Sequence, residues 1–125
     1  MTLIHSDLTK KILECAYKIH SSFGPGLLES AYEEVLYYEI KKSGLSVKKQ
    51  HPLPLVYEEV YLDAGYRLDL WVENKVVLEI KAVDALNDVH FAQLMTYLKL
   101  SESKVGFLIN FNVKSLKEGI RRVVM

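Results

Sequence analysis

Between Tyr66 and Lys81 the chain alternates apolar and polar positions twice. Tyr66, Leu68, Leu70 and Val72 interleave with Arg67, Asp69 and Trp71; beyond Glu73, Asn74 and Lys75, the residues Val76, Leu78 and Ile80 interleave with Val77, Glu79 and Lys81. A period of two belongs to β-strands, whose successive side chains point to opposite faces. The pattern predicts a hairpin with one apolar face and one face bearing charge. A three-residue loop pairs Val72 with Val76, Leu70 with Leu78 and Leu68 with Ile80, apolar against apolar. A two-residue loop would set Leu70 against Glu79 and mix the faces, so the pattern disfavours it. The favoured register sets Asp69 opposite Glu79 and Arg67 opposite Lys81.

Elsewhere the periodicity is helical or extended. Residues from about 6 to 22 read as a helix with Leu8, Ile12, Ala16 and Ile19 on one face and Ser6 or Asp7 as N-cap. Phe23-Gly24-Pro25-Gly26 is a turn. A second helix runs from about 27 to 42, its buried stripe including Leu28, Val35, Leu36 and Ile40, with Gly44 suited to its C-terminal end. Residues 47 to about 61 look extended, and Pro52 and Pro54 favour an edge or bent strand. A third helix spans 88–100, with Phe91, Leu94, Met95 and Leu98 as its apolar stripe. A buried strand spans 105–111, a short helix or turn 114–118, and a last extended segment 120–124. Helices before and after a small sheet give an α/β fold layered α/β/α, as one domain over residues 1–125.

Composition narrows the function classes. The chain has 125 residues, half of them hydrophobic, enough for one proper core. Sixteen Lys and Arg balance sixteen Asp and Glu, so contact with nucleic acid must use local clusters. Candidates are Lys10–Lys11, Lys41–Lys42, Lys48–Lys49 and Arg121–Arg122, each also explicable as a solvated edge. The single cysteine, Cys15, excludes an internal disulfide, a cysteine zinc site and an iron–sulfur cluster held by this chain's own thiolates. With no signal-peptide pattern and no apolar run of membrane-spanning length, a soluble cytoplasmic protein is expected.

The charged face of the hairpin carries the chemistry. Cross-strand neighbours hold their Cβ atoms about 5 Å apart, so Asp69 and Glu79 repel unless a cation stands between them. Hard cations such as Mg²⁺ take carboxylate oxygens and retain several waters. Lys81 lies two residues beyond Glu79 on the same face, where its ammonium can meet a water or a phosphate oxygen. An ordinary solvated cluster of three charges is the plain alternative. Two other groups stand out. Glu29 and Tyr32 are three apart at the start of the second helix, where an acidic residue also complements the helix dipole. His90, Gln93 and Tyr97 make a polar stripe on the third helix, and Gln93 and Tyr97, four apart, can address one target.

Taken together these residues resemble a known family. In GPGLLESAY, the residues Gly26, Glu29 and Tyr32 have the spacing of the GxxExxY proteins, which belong to the PD-(D/E)XK nuclease-like superfamily. The resemblance continues through Asp69, Glu79-Ile80-Lys81, Gln93 and Tyr97 to the GFLINFN segment, Gly106 to Asn112, and so covers nearly the whole chain. It implies a restriction-endonuclease-like core, a small mixed sheet flanked by helices. By that likeness Asp69 and Glu79 are the metal ligands, Lys81 the catalytic lysine and Glu29 the acidic residue of the first core helix, with Gln93, Tyr97 and Tyr32 in support. The chain departs from the signature at Leu68, which stands where the superfamily's name has proline. In the hairpin register that position faces the core with Leu70.

The expected function is a metal-dependent nuclease that hydrolyses phosphodiester bonds, with DNA favoured over RNA and Mg²⁺ or Mn²⁺ held by Asp69, Glu79, the Ile80 carbonyl and Glu29. A different class is also open: a nuclease-fold module that binds or regulates without cutting. Zero net charge and small size favour it, although pairing of two copies in a homodimer would join two half-grooves. A P-loop enzyme is disfavoured, because GPG precedes a helix without the lysine that such a loop needs.

Overall fold

In the computed structural model, which describes residues 3–63 and 65–125, two helices come first, α1 (Ser6–Phe23) and α2 (Glu29–Lys42). Strands β1 (Val47–Pro52), β2 (Leu55–Tyr57), β3 (Val60–Leu62), β4 (Arg67–Val72) and β5 (Val76–Lys81) follow, then α3 (Asp88–Ser101), β6 (Val105–Asn110), a 3₁₀ turn (Leu116–Gly119) and β7 (Ile120–Val124). Five strands make one mixed sheet in the order β1-β4-β5-β6-β7, antiparallel except for the parallel β5–β6 pair. A parallel pair needs a crossover connection, and α3 supplies it.

The layering follows from which faces are apolar. Ile12, Ala16 and Ile19 of α1 and Tyr32, Leu36 and Ile40 of α2 pack on Leu70, Val72, Val76, Leu78 and Ile80. Leu94, Tyr97 and Leu98 of α3 cover Val77 and Leu108 on the other face. The central strands β5 and β6 are therefore buried on both sides, which is why they read as nearly continuous apolar runs. The sequence-derived α/β/α architecture holds.

Local differences have local causes. The α1 N-terminus is His5, in a left-handed conformation and without a side-chain cap, where Ser6 or Asp7 was expected. Leu28 is the N-cap of α2 and 76 % exposed, so it is not part of the buried stripe. The expected end of α2 does form: Gly44 has φ 93° and its N–H returns to the Lys41 carbonyl. The extended stretch from 47 to 61 breaks at Pro52 and Pro54 into the edge strand β1 and a separate two-stranded arm, β2–β3. Leu68 is buried as expected but joins the cluster of Leu53 and Val77, not that of Leu70 and Val72. Buried and more exposed positions still alternate along β4, but the cluster that the buried ones join changes at Asp69.

Tyr32 illustrates how a motif residue serves the fold. Its ring is fully buried and stacks on Phe111 with centroids 4.4 Å apart. Its hydroxyl donates to the Gly24 carbonyl and accepts from the Leu27 N–H, tying down the turn that launches α2. Tyr32→Phe is expected to lower the stability by about 1 kcal/mol, the usual net value of such bonds. A shift of the urea midpoint reads it, and an unchanged midpoint would mean that the turn holds without the hydroxyl.

Candidate active site at a fork in the sheet

The hairpin closes as the alternation requires and then opens. Glu73 and Asn74 both have positive φ, 55° and 53°, and the Lys75 N–H returns to the Val72 carbonyl. Pairing runs through Val72–Val76 and Trp71–Val77 to Leu70–Leu78, where it stops. Beyond that point β4 stays beside β1 as far as Arg67, and β5 stays beside β6 as far as Lys81. Each strand follows its outer neighbour, so the sheet forks. The Leu68–Ile80 and Asp69–Glu79 ladder pairs expected from the register do not form.

Side chains bridge the gap instead. The Asp69 N–H donates to Glu79 Oε2 at 3.1 Å, and the Ile80 N–H donates to Asp69 Oδ2 at 2.8 Å. Backbone donors freed by the fork are thereby satisfied, as buried N–H groups must be, and the two carboxylates are held reciprocally. One oxygen of each, Asp69 Oδ1 and Glu79 Oε1, has no backbone partner among the described residues.

Other elements bring further groups. From α2, Glu29 Oε2 accepts from the Ala82 N–H at 3.1 Å, just past Lys81. One turn on, Glu33 Oε1 accepts from Gln50 Nε2 at 2.7 Å, and the same nitrogen lies 3.3 Å from Asp69 Oδ1. From α3, Gln93 Nε2 donates to Tyr97 Oη at 3.0 Å, as their four-residue spacing allows. Lys81 is half-buried and makes no ion pair among the described residues.

The charges feel one another. Burial pushes Glu79, 4 % exposed, well above the usual carboxylate range, and the Asp69 charge pushes it further. Asp69 is raised by burial, with Glu29 adding to the effect, while the Ile80 N–H and Lys81 pull it back. Glu33 is raised by burial and by Asp69. The Tyr97 phenol is raised by burial and then by Glu79 and Asp69.

The donor set fits a hard divalent cation. Among the described residues no three His, Cys, Asp or Glu side chains converge as a complete cage. Mg²⁺ does not need one, since it is commonly held by one or two carboxylates with waters completing the octahedron. Two adjoining carboxylates, both disfavoured as anions where they stand, form the environment that such an ion relieves. Asp69 and Glu79 are that pair; Glu29 is engaged with the Ala82 backbone and stands at the margin.

Not every residue singled out from the sequence joins this group. Tyr32 turns into the core. His90 completes the α3 N-cap, with its Nδ1 accepting from the Asn87 N–H and its own N–H donating to Asn87 Oδ1. Trp71 packs against the α3 cluster and donates from Nε1 to Ser103 Oγ. Three others went unnoticed. Glu33 could have been found, being one helical turn from Glu29. Asn110 is a polar residue at the end of a buried run, a signal in itself; its amide holds both the N–H and the carbonyl of Val83. Gln50 had no marker in the pattern. An apolar cavity of about 560 Å³ between α1 and β7, lined by Leu13, Tyr17, Phe107 and Ile120 among others, includes none of these groups.

A family model described as the PD-(D/E)XK nuclease superfamily matches residues 6–123. No curated protein and no solved structure matches the chain.

Proposed function

The chain belongs to the PD-(D/E)XK nuclease superfamily, and from that premise we propose that it is a metal-dependent nuclease that hydrolyses phosphodiester bonds, DNA before RNA. The observation that carries this reading is the fork, which sets the half-buried Asp69 and the buried Glu79 carboxylates against each other with Lys81 two residues on. Within the superfamily, Gly26, Glu29 and Tyr32 support placing the chain among the GxxExxY proteins. Mixed-sheet α/β architecture agrees with the restriction-endonuclease-like fold.

Asp69, Glu79, the Ile80 carbonyl and, through water, Glu29 would hold Mg²⁺ or Mn²⁺. Such an ion, when bound, makes water a stronger acid and stabilises negative charge on a phosphate. Reciprocal bonds across the fork fix both carboxylates before any substrate arrives, and such preorganisation is what makes electrostatic catalysis effective. The Lys81 ammonium orients the attacking water and offsets the charge that develops on the phosphate oxygens. Gln93 and Tyr97, already bonded to each other, position the lysine, a water or the phosphate backbone. Lys48 and Lys49 lie beside Gln50 on β1; Lys49 is paired with Glu34, and Lys48 stands over the Trp71 ring. No helix is long and apolar enough to cross a membrane among the described residues.

The second reading, a module of nuclease fold that binds without cutting, draws support from the β2–β3 arm. Its Val56, Tyr57 and Tyr61 are exposed apolar residues of the kind partners cover. One experiment separates the two. Purified protein is offered single-stranded, duplex and branched DNA and RNA with Mg²⁺, Mn²⁺ or EDTA, beside Lys81→Ala. Metal-dependent cutting by the wild type, absent from the variant, is the expected outcome. No cutting of any substrate by folded protein would leave the binding module.

A further inference from the structure

Gln50 stands in the middle of β1 with φ 51°, in the left-handed region. A side chain with a Cβ is disfavoured there, and glutamine lacks the local hydrogen-bonding habit that lets asparagine visit it. The ladder on either side is regular: Lys49 pairs with Leu70 and His51 with Leu68, while the intervening position, opposite Asp69, is unpaired. The conformation is thus confined to one residue of an otherwise regular strand. What holds it lies at the fork. Gln50 Nε2 donates to Glu33 Oε1 at 2.7 Å and to Asp69 Oδ1 at 3.3 Å, and its carbonyl accepts from Arg67 Nη1 at 3.3 Å. Backbone strain that persists beside a site is sustained by the contacts around it.

A carboxamide suits this position. Its nitrogen carries two hydrogens and no charge, so it can join two carboxylates without neutralising them. A lysine there would compete with a cation, and an alanine would leave Asp69 Oδ1 and Glu33 Oε1 without this restraint. The Ile80 N–H fixes Asp69 Oδ2, and Gln50 restrains Oδ1; together they set the plane of the Asp69 carboxylate. The same amide draws Glu33 from α2 towards the fork.

We propose that Gln50 is a positioning residue of the active site, its carboxamide clamped between Glu33 and Asp69 by a left-handed backbone so that Asp69 presents Oδ1, the oxygen that no backbone N–H holds, to the cation. This role rests on the metal-dependent reading above. Hydrogen-bonded partners of ligating carboxylates matter about 10–100-fold for metal affinity or activity, and Gln50 acts in that way.

The test uses Mn²⁺ binding, followed by the electron paramagnetic resonance of the ion and by calorimetry, with Asp69→Ala as the non-binding reference. Gln50→Gly removes the amide but accepts the left-handed backbone freely. It should bind Mn²⁺ roughly tenfold more weakly or worse, with Tm unchanged or higher, and should lower kcat without moving KM for nucleic acid. Gln50→Asn retains an amide and the tolerance for positive φ but is one methylene shorter; it should show the same loss. Wild-type affinity in either folded variant overturns the role of Gln50 while leaving the nuclease reading intact. An affinity loss that merely tracks a falling Tm also overturns it. Wild-type protein that binds no Mn²⁺ removes both.

Discussion

Glu79→Gln should end cleavage and, without metal, make the protein more stable. The activity loss is expected on the order of 10²–10³-fold or more, as when a group dedicated to transition-state charge is removed. The stability gain follows from burial. Glu79 is almost wholly shielded from water beside Asp69, and both effects hold its proton on. Its folded pKa lies above the unfolded value, so its contribution to stability is fully present below the ordinary carboxylate range. That contribution is lost as pH rises through the raised folded pKa. Asp69 is shifted the same way. Glutamine keeps an oxygen for the Asp69 N–H and never ionises. In EDTA the wild-type Tm should therefore fall relative to the variant as pH rises above the usual carboxylate range, with the variant ahead by about 0.5–2 kcal/mol at pH 8. Mn²⁺ should reverse the order at high pH, because a ligand that binds only the folded state stabilises it. Parallel pH profiles of wild type and variant in EDTA would show that burial does not govern these carboxylates.

Gly119→Ala should be the most damaging substitution away from the charged groups. A Cβ there would lie 2.1 Å from the Asn110 carbonyl oxygen and 3.1 Å from Val113 Cγ2. The first of these is backbone and cannot swing aside. Asn110 is buried, and its side chain ties down Val83, two residues past Lys81, as well as the Asn112 N–H. Pushing Asn110 outward would disturb the end of β5 and the site with it. A loss of about 3 kcal/mol is expected, the upper part of the usual range for overpacking, or roughly 10 °C in Tm for a chain of this size. Gly106→Ala is the useful contrast. Its Cβ would meet the tips of Leu94 and Leu98, at 2.9 Å and 3.1 Å, which can rotate, and the Val77 carbonyl oxygen at 3.2 Å, a backbone contact far looser than the 2.1 Å at Gly119. Its loss should be the smaller one in a thermal melt; equal melts for both variants would mean that the Gly119 approach is not rigid.

The sequence was most legible where neighbours in the chain decide the structure. Alternation gave the three-residue loop and the pairs Val72–Val76 and Leu70–Leu78, and it marked Asp69, Glu79 and Lys81 as a group. Helical spacing brought Gln93 to Tyr97. The fork was invisible because its cause is distant: β4 follows β1, some twenty residues earlier, and β5 follows β6, some thirty residues later. Nothing local distinguishes Leu68 from Leu70, although they serve different clusters. Gln50 and Glu33 enter only once α2 and β1 lie side by side. The short β2–β3 arm was hidden inside an extended stretch, since two prolines announce a break but not the hairpin beyond it.

The parallel pairing of β5 with β6 also sets a clock. Lys81 is matched with Asn110, so the Lys81 end of β5, beyond its pairing with β4, has no strand beside it until the chain has been made at least that far. Contacts so distant in sequence form late, after the loop between them has closed. During synthesis, then, the acidic pair and the lysine exist for some thirty residues as parts that have not yet been assembled. A growing chain still on the ribosome cannot complete the candidate site until β6 has emerged beside β5.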